Sequence, residues 1–194
     1  MRRLYDWVLS WAETRWGAAA LGTLAFTESV IFPVPPDPLL MALSLGRPEH
    51  SYRYALLATT SSVAGGVCGY ALGYWLWHRV SHWFFAYVPG FTPENFAYVQ
   101  GKYDENAFLA IFAAAFTPIP YKVFTIASGV FQTGLTVLVA ASVLGRGLRF
   151  FAVAALMKRW GPKAKEFIDR YFNWLTLLFF LLLALGFLLV RKLF

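Results

Sequence analysis

The sequence predicts an all-α integral membrane protein. We expect two opposed re-entrant helical hairpins, related as an inverted pseudo-repeat, with about three full transmembrane helices and interfacial amphipathic helices. Three observations predict this class. The chain is 59% hydrophobic with a mean hydropathy of +0.55, whereas soluble domains are roughly 45 to 50% apolar. Its apolar runs are as long as a bilayer is thick, and prolines interrupt two of the apolar segments.

Three uninterrupted apolar runs predict the spanning helices, at 54–77, 133–157 and 174–190. A helix needs about 17 to 25 residues to cross a bilayer, and each run has that length. Charged residues make up only 14% of the chain and cluster between the runs. Because no Ser- or Gly-rich linker divides the sequence, we expect a single membrane domain over residues 1–194.

Segments of mixed polarity predict structure at the membrane surface. We expect an interfacial helix over 4–16, an interfacial loop and helix over 79–105, and a basic interfacial segment over 158–172. Thr92 and Pro93 have the order of an N-cap and a proline at the first helical position. The net charge is +7, but the basic residues lie in short loops beside apolar runs, which favours membrane orientation over nucleic-acid binding.

Two further apolar segments, 17–45 and 106–131, are broken by prolines. Neither can continue as one helix, because proline lacks a backbone N–H and clashes with the preceding turn. Lipid cannot satisfy the freed backbone groups, so each break must lie inside protein or line a wet cavity. We therefore predict a re-entrant hairpin for each segment. The prolines at the breaks are Pro33, Pro35, Pro36 and Pro38 in the first hairpin, and Pro118 and Pro120 in the second.

The two hairpins show the same order of features, which suggests an internal repeat. Superposing their Pro-x-Pro motifs places Asp37 opposite Lys122, and a glycine-containing spanning helix follows each hairpin. Small residues allow membrane helices to approach closely. We interpret the glycines between Gly65 and Gly73 as packing residues.

Five charged residues fall within the apolar segments. An ionised group at bilayer depth is costly unless it is paired or hydrated, so such residues are candidates for function. They are Glu28, Asp37, Lys122, Arg146 and Arg149. If they converge, the site has one more positive than negative charge, which favours an anion such as a lipid phosphate.

We expect these residues to divide into two roles. Lys122, Arg146, Arg149 and Asp37 are predicted to bind the substrate. Glu28 and Asp37 are predicted to gate the site or to couple it to protons. The alternative is that the charges only pair with one another and hold the hairpins in place.

Catalytic and metal sites are not indicated by any residue spacing. His50, His78 and His82 flank membrane segments, and no His, Cys or carboxylate pattern resembles a metal cage or a hydrolase triad. The single cysteine, Cys68, cannot form an internal disulfide. We expect no metal, no cofactor and no enzymatic activity.

Four motifs carry a family resemblance. They are ESVIFPVPPD at 28–37, GYALG at 69–73, FTPIPYK at 116–122 and GRGLRFF at 145–151. Together they resemble the DedA family of the SNARE-associated/VTT domain superfamily, in particular its YqaA-type branch. The resemblance covers roughly Gly17 to Leu156. Where many relatives have arginines flanking the second Phe-x-Pro motif, this chain has Ala115 and Tyr121, with Lys122 adjacent.

The resemblance implies a multi-pass protein of the bacterial inner (cytoplasmic) membrane. Such a protein moves phospholipids or polyprenyl-phosphate lipids between leaflets, as a flippase or scramblase, with proton coupling as a hypothesis. The family's membrane-embedded acids match Glu28 and Asp37. The distribution of Lys and Arg predicts a cytoplasmic N-terminus. A membrane-integral assembly or structural factor, and less favourably a lipid-phosphate enzyme, stay open as alternatives, as does the oligomeric state.

Overall fold

A computed structural model describes residues 14, 16–88, 92–117 and 119–161. Regular structure in these ranges is entirely helical, which confirms the predicted all-α class. A short 3-10 turn at Pro48–His50 leads into the third of the α-helices. The helices are α1 (Gly17–Glu28), α2 (Asp37–Gly46), α3 (Ser51–Tyr87), α4 (Pro93–Phe116), α5 (Tyr121–Val130) and α6 (Leu135–Gly161).

Two helices among the described residues are long and apolar enough to cross a membrane. One is α6, with 27 residues, and the other is α3 with its leading turn, with 40 residues. The third predicted span, 174–190, lies outside the described residues, as do most of the predicted interfacial segments 4–16 and 158–172. Residues 158–161, the start of the predicted basic interfacial segment, are instead the end of α6.

Helix α3 continues to Tyr87, well past the predicted end of the span at residue 77. Its 37 residues make a rod of about 55 Å at 1.5 Å per residue, against a hydrocarbon core of about 30 Å. No glycine or proline stands between Gly73 and Pro89, so nothing in the local sequence ends the helix earlier. The start of the segment expected to be an interfacial loop is therefore helix.

Helix α4 begins earlier than the predicted second hairpin, at Pro93 rather than near residue 106. The Oγ1 atom of Thr92 accepts a hydrogen bond from the backbone N–H of Asn95 at 3.2 Å, which confirms the predicted N-cap. Backbone and Thr92 hydrogen bonds hold the pKa of the nearby Glu94 carboxyl below its usual value. The cap extends the helix back toward the end of α3.

Helix interruptions coincide with both proline runs. After α1 the backbone N–H groups of Ile31 and Phe32 both donate to the carbonyl of Thr27, at 2.9 and 2.8 Å. We call residues 29–36 break 1 and residues 117–120 break 2. Break 1 separates α1 from α2, and break 2 separates α4 from α5.

Glycines on α3 form the seam against which the shorter helices pack. A Cβ atom added at Gly65 would collide with the carbonyl of Phe26 in α1, and one at Gly73 with the carbonyl of Ile126 in α5. At Gly69 it would lie 2.5 Å from Oγ1 of Thr125. These contacts confirm that the glycines are packing residues.

Two apolar clusters form the core, and α6 contributes to both. Cluster 1 joins α1, α2, the start of α3 and the C-terminal half of α6. Cluster 2 joins α4, α5 and the N-terminal half of α6. Buried members of cluster 1 include Leu21, Leu40, Ala58 and Phe150, and those of cluster 2 include Ile111, Tyr121, Leu138 and Ala141. The part of α6 between Ala141 and Phe150 therefore lies where the clusters meet.

Gly73→Ala tests the seam. The new methyl group meets the rigid backbone of α5 rather than a mobile side chain, so we expect destabilisation of about 1 to 3 kcal/mol. Gly101→Ala in α4 is the matched control, because no atom lies within 4 Å of the added Cβ. The control should be neutral or stabilising by up to about 1 kcal/mol. Thermal unfolding in detergent micelles measures both, and equal effects of the two changes would contradict the seam.

Candidate functional site

The first ion pair joins the end of α1 to the middle of α6. One terminal guanidinium nitrogen of Arg146 donates to Oε2 of Glu28 at 2.8 Å. The Arg146 side chain is only 3% exposed and that of Glu28 is 15% exposed. Glu28 is the last residue of α1, so the pair ties the edge of break 1 to α6.

The second ion pair is one helical turn further along α6. Arg149 makes a two-pronged contact with Asp37, from Nε to Oδ1 at 2.9 Å and from a terminal nitrogen to Oδ2 at 2.8 Å. Its other terminal nitrogen donates to the backbone carbonyl of Thr117 at 2.9 Å. Arg149 therefore links the start of α2, break 2 and α6 through one planar group.

Lys122 contacts backbone rather than a carboxylate. Its ammonium donates to the carbonyls of Ile31 and Phe32 in break 1, at 3.0 and 3.3 Å. The partner of Asp37 is Arg149 rather than Lys122, the residue that the repeat places opposite it. A cation at the end of α5 nearest break 2 thus supplies donors to carbonyls that break 1 leaves without helix partners.

Aromatic rings enclose the guanidinium of Arg146. Its central carbon lies 4.4 Å from the ring centre of Tyr121 and 5.8 Å from that of Phe150. The hydroxyl of Tyr121 donates to Oγ of Ser142 at 2.5 Å, which fixes the ring against α6. The Nε atom of Arg146 is buried and has no hydrogen-bond partner among the described residues. The aromatic rings therefore restrict the orientation of the Arg146 guanidinium, while one of its N–H groups makes no hydrogen bond to a described residue.

A polar seam of hydroxyl groups lies beside the charges, and its members Ser29 and Thr125 were not among the predicted site residues. The hydroxyls of Ser29 and Ser62 are 2.8 Å apart, and Thr125 donates to the carbonyl of Ser29 at 3.3 Å. A sequence signal for Ser62 exists, since it is three residues before Gly65 and shares its helix face. Tyr121 was noted only as a place where many relatives have an arginine, and not as a contact of Arg146.

All five predicted charges therefore converge on the two breaks and the middle of α6. Three cations and two carboxylates meet there, with one positive charge in surplus. Of the prolines predicted at the breaks, Pro33, Pro35, Pro36 and Pro120 lie between the helices. Pro38 is instead the second residue of α2, a position that needs no backbone N–H, and Pro118 is outside the described residues.

Histidines and metal-binding groups lie apart from this arrangement. Nδ1 of His50 is 3.6 Å from a carboxylate oxygen of Glu49, and Nδ1 of His78 is 2.8 Å from the carbonyl of Tyr74. Within residues 14, 16–88, 92–117 and 119–161, no three His, Cys, Asp or Glu side chains are grouped to hold a metal. The chemistry that the convergent charges support is anion recognition.

Comparison with known proteins places the chain among bacterial relatives. An uncharacterized protein of Haemophilus influenzae is 33% identical over 164 residues, which is 82% of each chain. The chain belongs to the family of this protein. An uncharacterized protein of Histophilus somni is 28% identical over 180 residues, covering 88% of this chain and 90% of the relative. No family model and no solved structure matches. The similarity runs along most of each chain and is not confined to one motif.

The pairing of Asp37 with Arg149 can be tested by a double-mutant cycle. Removing one partner leaves a partly buried charge, so Asp37→Ala and Arg149→Ala should each cost about 3 to 5 kcal/mol. The double variant should be less destabilised than the sum of the two, by about 0.5 to 3 kcal/mol. Chemical or thermal unfolding in micelles gives the three values.

The exposed pair of Lys102 and Glu105, 3.1 Å apart, is the control for this cycle. Both side chains are well exposed, so Glu105→Ala should leave the unfolding midpoint unchanged. Strictly additive effects of Asp37→Ala and Arg149→Ala would show that the two residues do not depend on each other.

Proposed function

We propose that this protein is a membrane transporter of the DedA type that translocates phosphate-bearing lipids, phospholipid or polyprenyl phosphate, between the leaflets of a bacterial inner membrane. The observation that supports it is the convergence of Lys122, Arg146 and Arg149 at two helix breaks. Transporters with inverted repeats commonly form their sites from broken helices that meet near the bilayer midplane. The site's surplus of positive charge suits a phosphate group.

Helix lengths support the re-entrant arrangement of the first hairpin. Helices α1 and α2 have 12 and 10 residues, or about 18 and 15 Å, against about 30 Å of hydrocarbon. Neither is long enough to cross the bilayer alone. In this proposal both proline-broken segments enter the membrane and return, while α3 and α6 span it.

The exposed side of break 1 supports a hydrated site. Ile31, Pro33 and Pro35 are exposed at alternate positions, next to carbonyls that Lys122 contacts. Irregular backbone at membrane depth has to meet protein or water, because lipid offers it no hydrogen bonds. The headgroup would cross along this wet side, while the acyl chains stay in the bilayer.

The two carboxylates of the site define its substrate-free state. Glu28 and Asp37 neutralise Arg146 and Arg149 when no substrate is bound, since unpaired ions at this depth are costly. A phosphate entering the site would compete with Glu28 for the donors of Arg146. A carboxylate so displaced is the natural carrier of a proton, which is how transport would be coupled to a proton gradient.

A structural or assembly factor is the second candidate, and one observation favours it. Asp37 and Arg149 satisfy each other with two hydrogen bonds, as expected of charges that only hold hairpins in place. This candidate predicts folded protein and no lipid movement in pure liposomes.

Reconstitution tests the proposed function. Purified protein in liposomes should accelerate the exchange of labelled phospholipid or polyprenyl phosphate between leaflets over protein-free liposomes, measured with and without an imposed proton gradient. A difference between the two conditions reports proton coupling. Background exchange for both lipids would favour the structural candidate, and release of free phosphate or of a cleaved headgroup would indicate an enzyme.

Site variants sharpen the same assay. Lys122→Ala and Arg146→Ala should reduce exchange to the protein-free background, because each removes a cation that receives the headgroup. Lys102→Ala is the control, since it removes an equal charge at an exposed pair remote in sequence from both breaks. Circular dichroism and size-exclusion profiles establish folding of each variant. Retained exchange in folded Lys122→Ala and Arg146→Ala would contradict the assigned roles.

A further inference from the structure

We infer that the two arginines of α6 have separate tasks: Arg146 binds the phosphate, with Glu28 as its internal competitor, while Arg149 and Asp37 form a permanent brace. This division deepens the proposed function and rests on it. The inference rests on a difference between the two guanidinium groups in the number of hydrogen bonds that each makes. The sequence, in which the two arginines lie three positions apart, does not reveal this difference.

Both donors on the Nε edge of Arg149 are already taken. Its Nε and one terminal nitrogen bond to the two oxygens of Asp37, and the other terminal nitrogen bonds to the carbonyl of Thr117. A phosphate could therefore chelate Arg149 through this edge only by displacing Asp37. Such displacement would release the start of α2 from α6.

Arg146, by contrast, makes few hydrogen bonds to described residues. Its side chain is 97% buried, at 3% exposure, yet to described residues it makes a single hydrogen bond, to one oxygen of Glu28. Its Nε is buried, and no group in the described ranges accepts a hydrogen bond from it. Buried polar atoms of native proteins are nearly always satisfied, so an exception needs a specific explanation. A ligand oxygen that reaches Nε and the terminal nitrogen together gives that explanation.

The aromatic rings around Arg146 prepare it for this task. Tyr121 and Phe150 restrict the plane of the guanidinium, and Tyr121 is itself held by Ser142. A planar fork in a fixed orientation matches two oxygens of a tetrahedral oxyanion. Little side-chain freedom would be lost when the ligand binds.

Glu28 occupies the place that the ligand would take. It approaches Arg146 through one oxygen only, and its other contact, from the Ser29 hydroxyl, is long at 3.5 Å. Glu28 ends α1 directly before break 1, whereas Arg146 lies within a continuous helix. A shift of break 1 would therefore withdraw the carboxylate and leave the arginine in position.

The ligand chemistry is a phosphate oxyanion, which either a lipid headgroup or free phosphate can supply. Binding is measured on the full chain in detergent micelles by isothermal titration. The probes are a short-chain phosphatidic acid and inorganic phosphate, with the matching diacylglycerol as the control that lacks the oxyanion.

The deciding comparison is Glu28→Gln against Asp37→Asn. Both changes remove one negative charge and keep the size of the side chain. Glu28→Gln should tighten binding of phosphatidic acid by about fivefold or more, the size of a typical coupling between two ligands. Asp37→Asn should not tighten it, because Arg149 is not the receiving group. Arg146→Lys, which keeps the charge and loses the fork, should weaken binding by about tenfold or more.

Three results would overturn the division of roles. They are weaker binding in folded Glu28→Gln, equal tightening in Asp37→Asn, and binding of diacylglycerol as strong as that of phosphatidic acid.

Tightening in Glu28→Gln without leaflet exchange in liposomes would uphold the site and reject transport. Leaflet exchange with no difference between the two variants would uphold transport and reject the site. Stronger binding of inorganic phosphate than of phosphatidic acid would reject a lipid as its ligand.

Discussion

The contact between Arg149, Asp37 and Thr117 holds together parts of the chain that local structure would leave apart. Prolines lie between α1 and α2 and between α4 and α5, and the backbone groups freed at each break require hydrogen-bond partners. Arg149 donates to the first carbonyl of break 2 and to the acid that opens α2, while Lys122 donates to carbonyls of break 1. The buried cations therefore supply hydrogen bonds to the broken backbone, and the carbonyls of the broken backbone supply acceptors for the cations. Each offsets the cost of burying the other.

This arrangement places the charges where the two apolar clusters meet along α6. The clusters fix the helices on either side, so the ion pairs do not have to determine the fold by themselves. Buried ion pairs are weak evidence for stability but strong evidence for a specified geometry. Within this arrangement the Nε–H of Arg146 makes no hydrogen bond to a described residue. Arg146 can therefore form a further hydrogen bond beyond those that hold the helices together.

Much of the fold follows from local sequence, whereas the partners at the site do not. Composition predicts the helical class, Thr92 with Pro93 predicts the start of α4, and the glycines predict close packing. Arg146 and Arg149 lie 118 and 112 positions from their acids, and partner choice depends on the rotation of α6 about its axis. Superposing the repeats places Asp37 opposite Lys122, but the two residues have different partners. The ammonium of Lys122 donates to backbone carbonyls, whereas the planar guanidinium of Arg149 matches the carboxylate of Asp37. The length of α3 was missed because mixed polarity resembles a surface segment, although no residue there ends a helix.

The glycine seam of α3 has a mechanical consequence. Where large side chains interdigitate, one helix can shift along another only if rotamers change and the contact opens. At Gly69 and Gly73 the backbone of α3 meets α5 with no side chain of its own between them. A small sliding of α5, of the shear type, therefore meets no interlocking side chain of α3 at these positions. Since Lys122 is part of α5 and contacts the carbonyls of break 1, such a shift would pull on the segment that directly follows Glu28.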